Sequence, residues 1–316
     1  RQQQHEITTS SLFSEMKSTT PPPKKKRAQA STTRLIIGGF SGIIEITTTY
    51  PLEFIKNSMQ LQPNRFQSPF EAFRVNVKNH GPMVLYKGLP SWWLFAFPRN
   101  AVRFTIFDIL THRLNIEHDL TRDAVAGIGA GIAEAYVALI PCQNLSIRMT
   151  HDANLPQHQK KYSTKYFSSA TSIVKEIGIK GMFAGAAPTV IKNSLNMMIR
   201  FPGFHYLAGV RLATKKQNAS NKDLATIKLN SLEMMLCGGI AGAVSAVASH
   251  PIDVVKANMM GLNASRFGSP INTATIVFKE TGYRGFYVGL SPRITRVFLE
   301  VGMLFTLFAK INEFFQ

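Results

Sequence analysis

The chain predicts an all-α fold of three tandem repeats, each built from a long apolar helix, a short surface helix and a second long helix. Three observations carry that prediction. A proline-led frame occurs three times, as "PLEFIKNSMQ" from 51, "PCQNLSIRMT" from 141 and "PIDVVKANMM" from 251. Ahead of each lies a small-residue apolar stretch with two glycines four apart, Gly38 and Gly42, Gly127 and Gly131, Gly238 and Gly242. Behind each, a second glycine pair recurs seven residues apart: Gly81 and Gly88, Gly178 and Gly185, Gly282 and Gly289. Self-similarity at a period of roughly 100 residues identifies one repeated architecture and excludes three unrelated domains.

Residues 1–31 stand apart. They are rich in Gln, Ser, Thr and Pro without helical or strand periodicity, and read as a low-complexity basic tail. The tail is Ser- and Thr-rich and acid-poor, which fits an import sequence. Its "PPPKKKR" run reads as solvated charge, so no nucleic-acid partner is expected. Repeats follow over 32–115, 116–214 and 215–316.

In each repeat the first helix carries its glycine pair 9, 10 and 9 residues before Pro51, Pro141 and Pro251. Glycines so spaced let a neighbouring helix approach closely in lipid, and an internal proline removes a hydrogen bond and bends the axis. The short helix opens at Ser68-Pro69 and Ser269-Pro270, with serine as N-cap and proline at the first helical position. A further apolar helix follows each second glycine. Pro202-Gly203 should kink or end that helix in the second repeat.

Composition narrows the class without deciding it. Apolar residues make up 45% and charged residues 17%, yet no stretch of 18 residues is wholly apolar; helices lining a wet cavity in a membrane fit, and so does a soluble helical protein. The net charge of +18 attracts anionic lipid, nucleic acid or small anions. Only a net +4 of it lies in the tail, so the basicity belongs to the repeats. Cys142 and Cys237 sit in apolar segments and read as buried free thiols.

Counting 7, 11 and 15 residues from each second glycine selects one face of the second long helix. Those positions hold Phe95, Arg99 and Arg103; Lys192, Asn196 and Arg200; Arg296, Glu300 and Leu304, with Arg293 beside Arg296. Charges inside membrane helices are costly and usually face a cavity or a partner. Six bases against Glu300 leave an anion as the missing partner; snorkelling at helix ends or structural ion pairing is the bland alternative. Glu45 and Glu134, each three residues after a glycine pair, read as helix packing or cavity lining rather than a proton relay.

The threefold frame of proline, acid and base with its glycine pair resembles the mitochondrial carrier family over about residues 33–314. "GGFSGIIEITTTYPLEFIK", "FPRNAVRF", "GAGIAEA", "RMTHD", "PIDVVK" and "SPRITRV" resemble its tricarboxylate (citrate) carriers. The resemblance implies six transmembrane helices in a pseudo-threefold bundle in the mitochondrial inner membrane, short matrix-side helices and a cavity with alternating access. It implies a carboxylate site made of Lys56, Arg99, Arg103, Lys192, Arg200, Lys256, Arg293 and Arg296, and anionic lipid, cardiolipin being the candidate, as a partner.

It further implies a matrix gate in which the acid of each repeat pairs with the base of the next. Here the gate positions read Pro51, Glu53, Gln60, Pro141, Gln143, Ser146, Pro251 and Asp253, with the bases at Lys56 and Lys256. Asp253 with Lys56 keeps both charges, Glu53 is expected to face Ser146, and Gln143 to face Lys256. The family's glutamine brace remains at Gln60 alone. At the opposite gate Phe107-Asp108 lacks its base, Thr111 standing there, and the third repeat has Phe308, Ala309 and Asn312.

The implied function is exchange of tricarboxylate or dicarboxylate anions. The alternative is a transport-impaired carrier-like protein serving as a structural subunit of a larger inner-membrane complex whose partners order the tail. An enzyme is not expected. The eight histidines are scattered without metal-ligand spacing, and no metal or cofactor is called for.

Overall fold

The computed structural model describes residues 24–114, 119–162, 165–217 and 229–314, and among these there is no strand. Residues 1–23 of the basic tail lie outside the described residues. Among the described residues eleven α-helices follow in order. The first repeat is α1 (Lys24–Leu61), α2 (Pro69–His80), a 3-10 turn (Pro82–Tyr86) and α3 (Leu89–Arg113). The second is α4 (Asp119–Glu134), a π turn (Ala135–Leu139), α5 (Ile140–Ala153), α6 (Tyr166–Met182) and α7 (Ala186–Gln217). The third is α8 (Ser231–Met260), the short α9 (Ala264–Phe267), α10 (Pro270–Gly285) and α11 (Leu290–Phe314).

The long helices close into a ring. Helix α1 packs on α3, α3 on α4, the π turn on α7, α7 on α8, α8 on α11, and α11 returns to α1. Two spans, Val125–Ala153 and Leu232–Met260, are long and apolar enough to cross a membrane, at 29 residues and mean hydropathies of 1.6 and 1.5. The residue distribution is that of a protein whose outer solvent is oily. Trp93, Leu94, Phe97, Ile240 and Val244 are exposed, while Glu53, Lys56, Glu134, Asp253, Lys256 and Arg293 are buried.

Local chemistry sets the elements. Ser68 and Ser269 cap α2 and α10, accepting from the backbone N–H of Glu71 at 3.1 Å and of Asn272 at 3.2 Å, with Pro69 and Pro270 behind them. All six glycines of the recurring pairs have positive φ, where a side chain is disfavoured. The second of each pair also permits contact between repeats. A Cβ on Gly88 would lie 2.5 Å from Tyr50 Oη and 2.9 Å from the Ser146 carbonyl. One on Gly185 or Gly289 would press on Met260 or on the Lys56 carbonyl, at 3.1 Å in both cases. Each of these glycines seats its repeat beside the gate-base position of the next.

The odd spacing in the second repeat has a structural answer. Gly131 to Pro141 is one residue longer than its two counterparts, and there the helix takes a π turn, Ile140 N–H donating to Ala135 O. A proline ring clashes with the carbonyl four residues back. A one-residue insertion absorbed as a π turn moves that carbonyl aside while keeping Glu134 above and Pro141 below in register with the other repeats. Pro51 and Pro251 lie inside α1 and α8 without such a turn. Of the two outcomes expected at Pro202-Gly203, a kink or an end, the end does not occur, because α7 continues through it to Gln217. Gly203 faces Ala241 of α8, at a distance where a Cβ would make ordinary van der Waals contact.

The prolines mark the tightly packed end of the bundle. Around them Tyr50, Phe54, Trp92, Ile140, Cys142 and Met260 form the main apolar cluster, and every residue of α5 except Pro141 is buried. Cys142 and Cys237 are buried free thiols.

Candidate functional site

Above the proline end, α1, α3, α5, α7, α8 and α11 enclose a cavity of about 140 Å³. Six of the eight sequence-derived bases line it: Lys56, Lys192, Arg200, Lys256, Arg293 and Arg296. Facing them are three carboxylates, Glu53, Asp253 and Glu300, so the walls carry three more positive than negative charges. Trp92, Gln143, Asn196 and Ser245 complete the polar lining.

The structure sets the other two bases apart. Arg99 and Arg103 donate through Nε to the Glu134 carboxylate, at 3.1 and 2.6 Å, joining α3 to α4 at the seam between the first two repeats. Arg99 also lies over the Trp92 ring. The equal spacing of Arg99, Arg103 and the cavity bases along their helices did not reveal this. Glu134 is the missed partner, and its match with Glu45 and Ser245, each three residues after a glycine pair, was the available signal. At the equivalent seam between α7 and α8, position 245 is an uncharged serine and Arg200 makes no hydrogen bond or ion pair among the described residues. At the third seam, between α11 and α1, Glu45 has Glu300 and Arg296 among its charged neighbours. Among the described residues the three symmetry-related seams thus differ: the first holds an ion-pair triad, the second has no such triad, and the third brings Glu45 and Glu300 toward Arg296.

Beneath the cavity the gate is a buried charge network. Asp253 is nearly inaccessible and takes Lys56 at 3.1 Å, Lys192 at 3.1 Å, Lys256 at 3.2 Å and Arg293 at 3.7 Å. Lys56 with Asp253 is the ion pair that the sequence retained, and Lys256 donates to Gln143 Oε1 at 3.3 Å as expected. Arg293 continues into Ser249 and His250, and Ser249 donates to Asn196.

Glu53 does not face Ser146. Its carboxylate takes Lys56 of its own helix at 2.9 Å and Arg296 of α11 at 2.6 Å, while Arg296 also holds Glu300 at 2.7 Å. Ser146 Oγ is instead 2.8 Å from Tyr50 Oη and accepts from Trp92 Nε1 at 3.2 Å. A serine is too short to bring its hydroxyl to the glutamate, and the acid turns to the strongest donor in reach. The brace expected at Gln60 is not made either: its side-chain amide is buried with no hydrogen-bond partner among the described residues. Thr150, at a brace position, donates weakly to Lys87 O. The side chains of 308, 309 and 312 lie outside the described residues, and no group of metal-ligating residues occurs among the described ones.

A second cavity of about 340 Å³ lies outside the ring, between α3, α5 and α6, with His80, Lys87 and Lys160 on its rim. Burial holds the Lys87 ammonium below its ordinary value even though Asp152 draws it up.

Comparison with known proteins agrees with this architecture. The family model "Mitochondrial carrier protein" matches residues 28–118, 116–212 and 228–316. The chain is 33% identical over 284 residues to a mitochondrial tricarboxylate transport protein of Homo sapiens, covering 88% of each chain. It is 32% identical to tricarboxylate transport protein B of Danio rerio, over 88% of this chain and 86% of that one. A putative tricarboxylate transport protein of Caenorhabditis elegans is 31% identical, over 89% and 88%. With three matched repeats, a closed ring of helices and a charged cavity inside it, the chain belongs to the mitochondrial carrier family, a helical carrier of the inner mitochondrial membrane and not an enzyme.

Proposed function

We propose that the chain exchanges tricarboxylate or dicarboxylate anions between the two sides of the inner membrane. The observation that carries this reading is the excess of three positive charges around one cavity, with Arg200 making no hydrogen bond or ion pair among the described residues. A small anion with two or three carboxylates neutralises that excess, and arginine offers a planar fork that takes a carboxylate through two hydrogen bonds. The names of the relatives, tricarboxylate transport proteins, support the same substrate class. Lys56, Lys192, Arg200, Lys256, Arg293 and Arg296 are the substrate contacts in this reading. Arg99 and Arg103 support the α3–α4 seam. An anionic lipid, cardiolipin being the candidate, suits the basic rim of the second cavity at His80, Lys87 and Lys160.

The damaged gate favours one alternative, a structural subunit of a larger inner-membrane complex. Two of three inter-repeat ion pairs are absent, because Gln143 and Ser146 stand where the second repeat needs an acid and a base. Alternating access needs two closed states of similar free energy, so this carrier is expected to be biased toward one of them and to exchange slowly. Purified protein in liposomes loaded with citrate or malate tests both readings. Counter-exchange of labelled citrate that stops when the internal anion is omitted supports transport. No exchange with any of a panel of carboxylates, together with migration in a large complex on a mild-detergent gel, overturns it in favour of the subunit.

A further inference from the structure

We propose that Arg296 is the latch of the matrix gate, standing in for the base that the second repeat lacks, and that a bound anion opens the gate by taking Arg296 away from Glu53. The second part rests on the carboxylate reading above; the first stands on geometry. Glu53 is a gate acid two residues below Pro51, and among the described residues its ion-pair partner from another repeat is Arg296 on α11. There Arg296 Nη1 meets Glu53 Oε2 at 2.6 Å and ties the third repeat to the first directly beneath the cavity. Among the described residues the seam that should hold this acid, between α1 and α5, carries neutral hydrogen bonds, Tyr50 with Ser146 and Asn154 with Ser58.

The guanidinium is divided between two jobs. Nη1 is on Glu53 and Nη2 on Glu300, while Nε is buried with no hydrogen-bond partner among the described residues, although the side chain lines the cavity. A carboxylate binds an arginine best along an edge that presents two parallel N–H groups. The unpartnered Nε lies on such an edge together with Nη2, the nitrogen that holds Glu300. An anion engaging that edge shares Nη2 with Glu300 and pulls the guanidinium toward the cavity, which lengthens the Nη1 contact with Glu53 and unties the repeats. Lys192 is placed in the same way on Asp253, at 3.1 Å from the cavity side. Gate acids and substrate therefore compete for the same cations, and no separate relay is needed to couple binding to opening.

The test uses a reporter cysteine at Gln60, whose side chain makes no hydrogen bond that replacement could break. Gln60→Cys is placed in full-length protein carrying Cys142→Ala and Cys237→Ala, reconstituted in liposomes and labelled with a membrane-impermeant maleimide. Glu53→Gln and Glu300→Gln each remove one carboxylate from the same guanidinium. The latch predicts that Glu53→Gln raises the labelling rate roughly tenfold, as expected for loss of a water-excluded ion pair, and that Glu300→Gln leaves it within about twofold. Arg296→Gln should raise it as Glu53→Gln does, and Ser146→Lys added to Arg296→Gln should bring it back down. If Glu53→Gln does not fold, Glu53→Asp removes the reach to Arg296 while keeping the charge, and the same rise is expected. Equal labelling in the Glu53 and Glu300 variants, or no rise in either, overturns the latch. Citrate at millimolar concentration should raise labelling of the parent and add nothing to Glu53→Gln. If the variants behave as stated while citrate neither moves labelling nor exchanges, the latch stands and the carboxylate reading falls.

Discussion

Replacing Arg200 by glutamine removes one positive charge from the cavity wall and should disturb nothing else. Among the described residues this guanidinium makes no ion pair or hydrogen bond, while every other cavity base has a carboxylate or amide on it. Its full donor set is free for a ligand, and a charge-assisted contact of this kind contributes about 1.5–3 kcal/mol. At 1.36 kcal/mol per factor of ten, Arg200→Gln should weaken the half-saturating citrate concentration roughly 10- to 150-fold. The melting temperature should change little, since no protein contact is lost. Arg103→Gln gives the opposite pattern. That side chain is half exposed, at 49%, and its bond goes to Glu134, which Arg99 still holds. Its loss should cost at most about 1 kcal/mol of stability and leave citrate affinity within a few-fold. Both variants are measured in proteoliposome exchange, with thermal unfolding in detergent as the stability reading. Equal loss of affinity in the two, or an intact Arg200→Gln, refutes the division of the bases into cavity and seam.

Two further outcomes follow from the backbone. Deleting Val137 should convert the π turn to α-helix and leave Glu134 and the Pro141 gate in register, so the protein should fold and melt close to the parent; deleting Val247 from the regular α8 should rotate everything below it by about 100° and abolish folding. Thermal melting checks the pair, and equal damage would refute the insertion argument. Gly88→Ala forces a side chain onto φ +100° and into Tyr50 and Ser146, for a loss of about 2–5 kcal/mol from strain and overpacking; Gly42→Ala, with nothing within 4 Å, should be neutral in the same melting experiment.

How much of this was legible in the sequence differs between backbone and charge. The three repeats, the serine caps, the recurring glycine pairs and the retained Lys56–Asp253 pair were readable, because each depends on residue type at a fixed offset along the chain. The extra residue between Gly131 and Pro141 was visible as a count, but its π turn required the knowledge that both ends stay in register. Four of the six cavity bases, Lys192, Arg200, Arg293 and Arg296, stand on the stripe that helical periodicity selects, while Lys56 and Lys256 came from the proline motifs by resemblance. The same stripe included Arg99 and Arg103, and nothing in its spacing distinguishes a base facing the cavity from one facing the next helix.

What the sequence determined by itself was therefore the periodic part: which residues form each helix, which face is polar, and where a proline or glycine interrupts. Only the tertiary structure decided the partners. Glu53 was expected to face Ser146 and meets Arg296, and Glu134, read as helix packing or cavity lining, takes Arg99 and Arg103, because the closed ring places α11 against α1 and α3 against α4. The reason is physical. Periodicity follows from bonds and hydrogen bonds within a few residues of chain, whereas a charge buried in low dielectric takes the nearest strong partner in space. For Glu53 that partner lies 243 residues away, on the helix that closes the bundle.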